Sequence, residues 1–442
     1  MRILLLAHAF APFNASGAVR AVKLAEHLLA TGHDVRVITG TPHPYPETLA
    51  TTFPADRVTA TPWLRVEAPL DALRRQLGHR VGRTSAPASP GGRSRPSLAA
   101  RGVLAYRNVL SVPDPQIGWL PYAVAAGRRL IENWRPELIY STALPFASHM
   151  VAARLAKRAG CPWVGEFRDL FSANPYSDVW PWRARLDTRI ERRVMASASA
   201  VVSVSPQMTS YLADLHAKPA VTVMNGFDPA DFARAPDMTG MFDARRIAIV
   251  YTGIIYPGRR DPAALIAALA MLGETRQAFD VRFYGPPADA VMPAARAAGV
   301  DDVVSVHPPV PYLQSLGLQK AADVLLLLLW DSPLEKGVLT GKLFEYIGAG
   351  RSILSLGCLD GAAAELVRAH DLGLAATDPA IIADWLGARA RAKTTGTTTP
   401  PASRPDPVSL FSRRAQFEQL ERFLTAQGLL SAPQAHGART AS

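Results

Sequence analysis

Short apolar runs alternate with stretches of helical periodicity along nearly the whole chain, and that alternation limits the folds open to it. Ile3–Ala7 is an apolar run. Ala18–Ala30 follows, with Val19, Val22, Ala25, Leu28 and Leu29 on one helical stripe. Gly32 ends that helix and Asp34–Thr39 is the next strand. The series continues with a strand at Glu137–Ser141, a helix at Phe146–Ala159, a strand at Trp163–Phe167 and an Arg-rich helix at Trp182–Ser197. Strands at Ala200–Val204 and Ala220–Met224 close it. Turn residues then crowd Asn225–Thr239, and Asn225-Gly226 predicts a turn at an interdomain hinge. The pattern restarts with strands at Ile247–Thr252, Asp280–Tyr284, Val303–Val306, Val324–Leu329 and Ile353–Leu356. Asp261 and Pro262 open a helix to about Leu272, as cap and first-turn proline. Gly341–Ala349 is another helix, closed by Gly350. Arg391–Pro407 reads as a Thr/Pro-rich loop and Ser409–Thr425 as a last amphipathic helix.

Strand-then-helix order at this spacing predicts an α/β protein with parallel sheets built from right-handed βαβ units. The break divides it into two Rossmann-like doubly wound domains, 1–235 and 240–407, expected to face each other across a cleft. A helix at 408–427 is expected to pack back on the first domain, and 428–442 to be a disordered tail. Ligands on such sheets bind beyond the carboxyl ends of the strands.

Composition narrows the class. Of 442 residues, 48% are hydrophobic and 19% charged, which excludes wholesale disorder. Two cysteines, Cys161 and Cys358, make no disulfide framework, and no Cys/His cluster has zinc spacing. No run reaches about 18 apolar residues, so no spanning helix is expected. MRILLLAHAF is too short and too interrupted, by His8 and then Pro12, for a secretory signal. A cytoplasmic location is expected. The net charge of +11 is uneven: residues 72–113 hold eight arginines and no acid. That points to a local anionic partner, not to a nucleic-acid-binding protein. With Trp180 and Trp182 beside Arg183, Arg185 and Arg189, it predicts an interfacial anchor on an anionic membrane surface.

Several chemistries lack their residues. There is no Asp-x-Asp pair for a metal-held diphosphate, no HExxH, no GxSxG, and no GxGxxG after the first strand. Gly337–Lys342 has one residue too few for a phosphate loop, and Leu343 stands where a magnesium-binding hydroxyl would be. What remains is Gly337–Gly350, GVLTGKLFEYIGAG. A glycine-containing turn enters a helix whose free amides and dipole make an anion site. Lys342 and Glu345 are three apart and share a face. They suit phosphate and a ribose diol respectively, or are an ordinary surface ion pair.

This segment resembles the nucleotide-sugar motif of retaining family-4 glycosyltransferases of the GT-B fold. Ala11–Thr39, with Gly17 after the first strand, is similar to their opening βαβ unit. Phe167-Arg-Asp-Leu170, Ser199–Ser205 and Asn225-Gly-Phe-Asp228 resemble the end of their acceptor domain. Tyr251-Thr-Gly253 to Arg259-Arg-Asp261 resembles the start of their donor domain. The order and spacing of these stretches carry the likeness across nearly the whole chain.

The resemblance implies a two-domain enzyme that moves a sugar from a nucleotide diphosphate, a UDP-sugar being the expected donor, to a hydroxyl of a glycan or lipid-linked acceptor. It implies retention of configuration and no metal or other cofactor. Glu345 matches the family's ribose-binding Glu. The paired first Glu falls at Gly337 and is missing, with Glu335 two residues out of register. Its work then falls to amides of Gly337, Val338 and Leu339, with Thr340 and Gly341 completing the donor loop. Ile254 takes the place of the family's phosphate-binding Arg after Gly253. Arg259 matches the Lys partner, and Arg260 is a second candidate. Arg168-Asp169 stands where relatives carry His-Asp. Asp169 could orient an acceptor hydroxyl or a donor sugar, and Arg168 could equally be a salt-bridge partner that holds the loop. Glu166, His8 and Gly17 are candidates to line the cleft, although a lone His is more often structural. Arg168, Asp169, Arg259 and Lys342 are the catalytic candidates. Two rivals stand beside the transferase: a nucleotide-sugar epimerase on the same fold, and a non-catalytic sugar-nucleotide or polysaccharide-binding protein.

Overall fold

The computed structural model describes residues 1–68, 102, 105–106, 108–174, 177, 179–256, 259–396 and 410–431. Expectations for the basic stretch between 72 and 101, for Arg107 and for the tail beyond Ser431 lie outside the described residues; at the start of the expected tail Leu430 is instead buried in the core of the first unit, 4% exposed.

The chain forms two compact units. One runs to Val223 and takes the chain back from Phe417; the other is Met224–Gln416. In the first, seven parallel strands are β1 (Arg2–Leu6), β2 (Asp34–Gly40), β3 (Val58–Thr61), β4 (Leu138–Ala143), β5 (Trp163–Phe167), β6 (Ala200–Ser203) and β7 (Ala220–Thr222). Their spatial order is β3-β2-β1-β4-β5-β6-β7. Helices α1 (Ser16–Ala30), α2 (Leu120–Trp134), α3 (Ala147–Ala159), α4 (Pro181–Met195) and α5 (Pro206–His216) connect them.

In the second unit the strands are β8 (Ile247–Thr252), β9 (Phe279–Tyr284), β10 (Val304–His307), β11 (Val324–Leu328), β12 (Ser352–Leu356) and β13 (Gly373–Ala375). Their order, β10-β9-β8-β11-β12-β13, repeats the pattern of the first sheet. Helices here are α6 (Pro229–Arg234), α7 (Ala263–Met271), α8 (Met292–Ala297), α9 (Tyr312–Ala321), α10 (Gly341–Ala349), α11 (Ala362–Ala369) and α12 (Pro379–Thr394). A last helix, α13 (Arg413–Ala426), begins in the second unit and inserts Phe417, Leu420 and Leu424 into the core of the first. Among the described residues no helix is long and apolar enough to cross a membrane.

Period-two alternation explains why the strands read as continuous apolar runs. In β1, Ile3 and Leu5 enter the core on one face, while Leu4 and Leu6 enter the core on the other. In β11, Val324, Leu326 and Leu328 face one way and Leu325 and Leu327 the other. Both faces of each sheet are covered, as helical crossovers require.

Two expectations need correction, and two strands were missed. Arg391–Thr394 is helical, not loop, because α12 runs four residues into the Thr-rich stretch. The break between units falls at Val223, ahead of the turn-rich stretch. Edge strands β3 and β13 were not legible, since VTAT and GLA are short and weakly apolar.

Candidate active site

Each sheet reverses its strand order at one place, between β1 and β4 in the first and between β8 and β11 in the second. Beyond the carboxyl ends of such a pair the connections diverge and leave room for a ligand. The candidate residues sort onto these two places.

In the second unit, β8 ends at Thr252 and the chain turns at Gly253, whose φ is +125°. A Cβ there would lie 2.3 Å from Lys342 Nζ and 2.5 Å from its Cε. Glycine is needed twice over, for its backbone and for the lysine that crosses it. Lys342 Nζ donates to Tyr251 Oη at 2.9 Å and sits 4.4 Å from that ring's centre. Tyr251 Oη in turn donates to the Ile254 carbonyl at 2.7 Å. Burial, and then the positive Arg260 nearby, push the Lys342 ammonium down to about 8. Arg259 lies over the Trp330 ring at 4.5 Å, which ties the loop after β8 to the loop after β11. Arg260 lies over Tyr256 at 5.1 Å.

The loop before α10 supplies donors. Among the described residues the amides of Leu339, Thr340, Gly341 and Lys342 reach no backbone carbonyl. Thr340 is the N-cap without a side-chain cap bond, and its buried hydroxyl has no hydrogen-bond partner there. These are the unsatisfied groups of a helix start, and they attract anions. Val338 is a correction: its amide already donates to the Glu335 carbonyl at 2.9 Å, so it is not a free donor. Glu335, two residues out of register with the missing glutamate, lies in the one-turn helix Pro333–Glu335 and is 5% exposed.

Glu345 is one turn into α10. It forms no ion pair with Lys342, so the reading of the two as a surface pair does not hold. Its carboxylate accepts from Gln319 Nε2 at 3.2 Å, and the same nitrogen donates to Thr252 Oγ1 at 3.0 Å. Burial raises its pKa, against Gln319, Arg413 and Lys342, which favour the charged form. Gln319 and Arg413 carried no sequence signal, because both reach this place from distant segments.

In the first unit the candidates separate. Arg168, just past β5, donates from Nε to Thr142 Oγ1 and to the Ala143 carbonyl, both at 3.1 Å, and from Nη2 to the Leu144 carbonyl. It holds the end of β4 and does not pair with Asp169. Its guanidinium occupies the space a Cβ on Gly17 would fill, 1.8 Å from that position. Gly17 is therefore a packing glycine for Arg168 at the first turn of α1. Asp169 is exposed and makes no hydrogen bond or ion pair among the described residues.

Two assignments are overturned. Glu166 lines no open surface: it is 1% exposed, with Arg20 Nη2 at 2.8 Å and the Tyr140 hydroxyl at 2.8 Å. The pleat does turn it away from Phe167, but Arg20 of α1 covers it there. His8 is 5% exposed inside an aromatic cage, with His43, Trp63 and Trp119 centroids 4.7, 4.9 and 5.2 Å away. Burial and then His43 lower its pKa to about 3, so it stays neutral. Arg183 is also withdrawn from any membrane role: it is 3% exposed, with Nε donating to Asp187 at 2.7 Å and Nη2 to the Ser111 carbonyl at 2.9 Å.

Two parallel doubly wound units in tandem, with this strand order, form the GT-B architecture. Solved structures agree on the fold. Sucrose-phosphate synthase from Thermosynechococcus elongatus is 16% identical, with a TM-score of 0.60 over 96% of this chain and 99% of that one. Anabaena HepE in complex with UDP and glucose is 14% identical, with a TM-score of 0.58 over 96% of this chain and 100% of that one. The lipopolysaccharide outer core galactosyltransferase WaaB is 13% identical, with a TM-score of 0.58 over 97% of this chain and 100% of that one. No curated protein sequence gives a significant match. Residues 17–227 match the family model described as "Glycosyl transferase 4-like domain" and belong to that family. The protein is an enzyme of glycosyl transfer.

Proposed function

We propose that the donor is a nucleotide-diphosphate sugar, a UDP-sugar, bound at the β8/β11 switch of the second unit. The acceptor is a hydroxyl of a glycan or lipid-linked glycan, and transfer proceeds with retention and without a metal. The observation that carries this is the lodging of Lys342 across Gly253, beside the open amides that start α10. HepE is described in complex with UDP and with UDP-glucose, which supports the donor class.

The chemical task is to stabilise a diphosphate that gains negative charge as the sugar leaves. Fixed amides and cations do this without the reorganisation that water needs. In this reading Lys342 and Arg260 meet the diphosphate, with Arg259 fixed on Trp330 behind them. The amides of Leu339, Thr340 and Gly341 complete the cradle around Gly337. Glu345, held by Gln319, accepts hydrogen bonds from the ribose diol. Asp169 orients the acceptor hydroxyl.

Calorimetric titration with UDP and a panel of UDP-sugars, followed by transfer assays, tests it. Wild type binds UDP. Lys342→Ala loses turnover by about 10²–10³, the usual cost of one charge-stabilising donor. Glu345→Gln weakens binding of UDP but not of inorganic diphosphate. If Lys342→Ala binds and turns over like wild type, the assignment fails. Conversion of the donor with no acceptor present makes the protein an epimerase instead.

A further inference from the structure

Away from the strand ends, α3 and α4 of the first unit enclose a groove of about 810 Å³. Met150 and Ala153 of α3 and Ile190 and Val194 of α4 form apolar walls, and Trp163 lines it from β5. Arg154, Lys157 and Arg193 stand along it.

The charge around the groove is one-sided. α3 contains no acidic residue. α4 contains two, Asp187 and Glu191, and both are buried, 5% and 1% exposed. Asp187 is held by Arg183, and Glu191 accepts from the Ser172 amide at 3.1 Å. The exposed charges of the two helices are therefore Arg154, Lys157, Arg158, Arg185, Arg189, Arg192 and Arg193. Arg158 pairs with Glu132 at 3.0 Å. None of the other six forms an ion pair among the described residues.

Aromatic side chains continue the same face. Trp182 is 45% exposed, and Trp180, which precedes α4, is 36% exposed, their ring centres 6.2 Å apart. Trp182, Arg189 and Arg193 are spaced to fall on one stripe of α4, about 16 Å from end to end. An apolar slot, a row of uncompensated cations and tryptophans at one end make up the composition that partitions into a lipid headgroup layer. A protein partner of ordinary mixed charge would leave most of these cations unmatched.

We propose that the α3/α4 face docks on an anionic phospholipid surface. An acyl chain enters the groove between Ala153 and Ile190, and lipid phosphates meet Arg154, Lys157 and Arg193. This inference does not rest on the donor site, and failure of the UDP titrations leaves it standing.

The test is cosedimentation of the full chain with phosphatidylcholine vesicles, with and without phosphatidylglycerol, at low salt. Wild type is expected to sediment only with the anionic vesicles. R154A/K157A/R193A removes three exposed charges and is expected to lower the partition coefficient about 100-fold, each cation near an anionic surface counting for about fivefold. A153W keeps every charge but fills the groove, and is expected to weaken binding about tenfold. Thermal unfolding midpoints close to that of wild type are the check that both variants fold. Wild-type sedimentation by the triple variant would hand the attraction to the arginines of residues 72–113 and overturn the proposal. Equal binding to neutral vesicles would overturn it too, as would a solution dimer that A153W dissolves.

Discussion

Replacing Gly17 with alanine separates two expectations of opposite sign. Gly17 is in the first turn of α1. Considered as a helix residue alone, alanine there stabilises by about 0.5–1 kcal/mol. The tertiary structure says otherwise. The new Cβ would lie 1.8 Å from Arg168 Nη1, 2.4 Å from Cζ and 2.5 Å from Nη2, so the guanidinium must leave. It would give up a forked bond from Nε to Thr142 and Ala143 and a second bond to the Leu144 carbonyl. Two charge-assisted bonds are worth about 3–6 kcal/mol when fully buried. Arg168 is only half-buried and water recovers part of this, leaving a net loss of about 2–3 kcal/mol after the helix gain. Urea unfolding of the first unit, followed by fluorescence of buried Trp119 and Trp163, measures it. In an Arg168→Ala background the same Gly17→Ala change should return to a gain of about 0.5–1 kcal/mol. A stabilised Gly17→Ala single variant would refute the packing role assigned here to Gly17.

Two further predictions concern buried charge. Lys342 titrates near 8, lowered by burial, so its charged form dominates below that pH and is lost above it. UDP-sugar affinity is expected to fall about tenfold between pH 7 and pH 9 and to be flat there in Lys342→Ala, with proton uptake on binding near pH 8 visible in buffers of different ionisation heat. Arg20→Leu leaves Glu166 charged and buried, and should cost about 3–5 kcal/mol of stability, much of it recovered by adding Glu166→Leu. A cost under 1 kcal/mol would show that Glu166 is satisfied without Arg20.

The division between what was legible in sequence and what was not follows the range of the interactions. The strands at Trp163–Phe167 and Ile247–Thr252, and the helix at Gly341–Ala349, were given by local pattern, because apolar alternation and the 3.6-residue period are set by neighbours a few positions apart. The two-sheet architecture follows from their order and from the handedness of βαβ crossovers. The open amides before α10 were also foreseeable, as every helix start leaves such groups. Which way a polar side chain is spent was not. Glu166 is claimed by Arg20, 146 residues away, and His8 by rings at 43, 63 and 119. Glu345 is held by Gln319, and Lys342 finds its place only because Gly253, far back in the chain, has no side chain. A buried charge or ring takes whatever partner the packed chain brings within about 3–5 Å, and only the tertiary structure decides who that is.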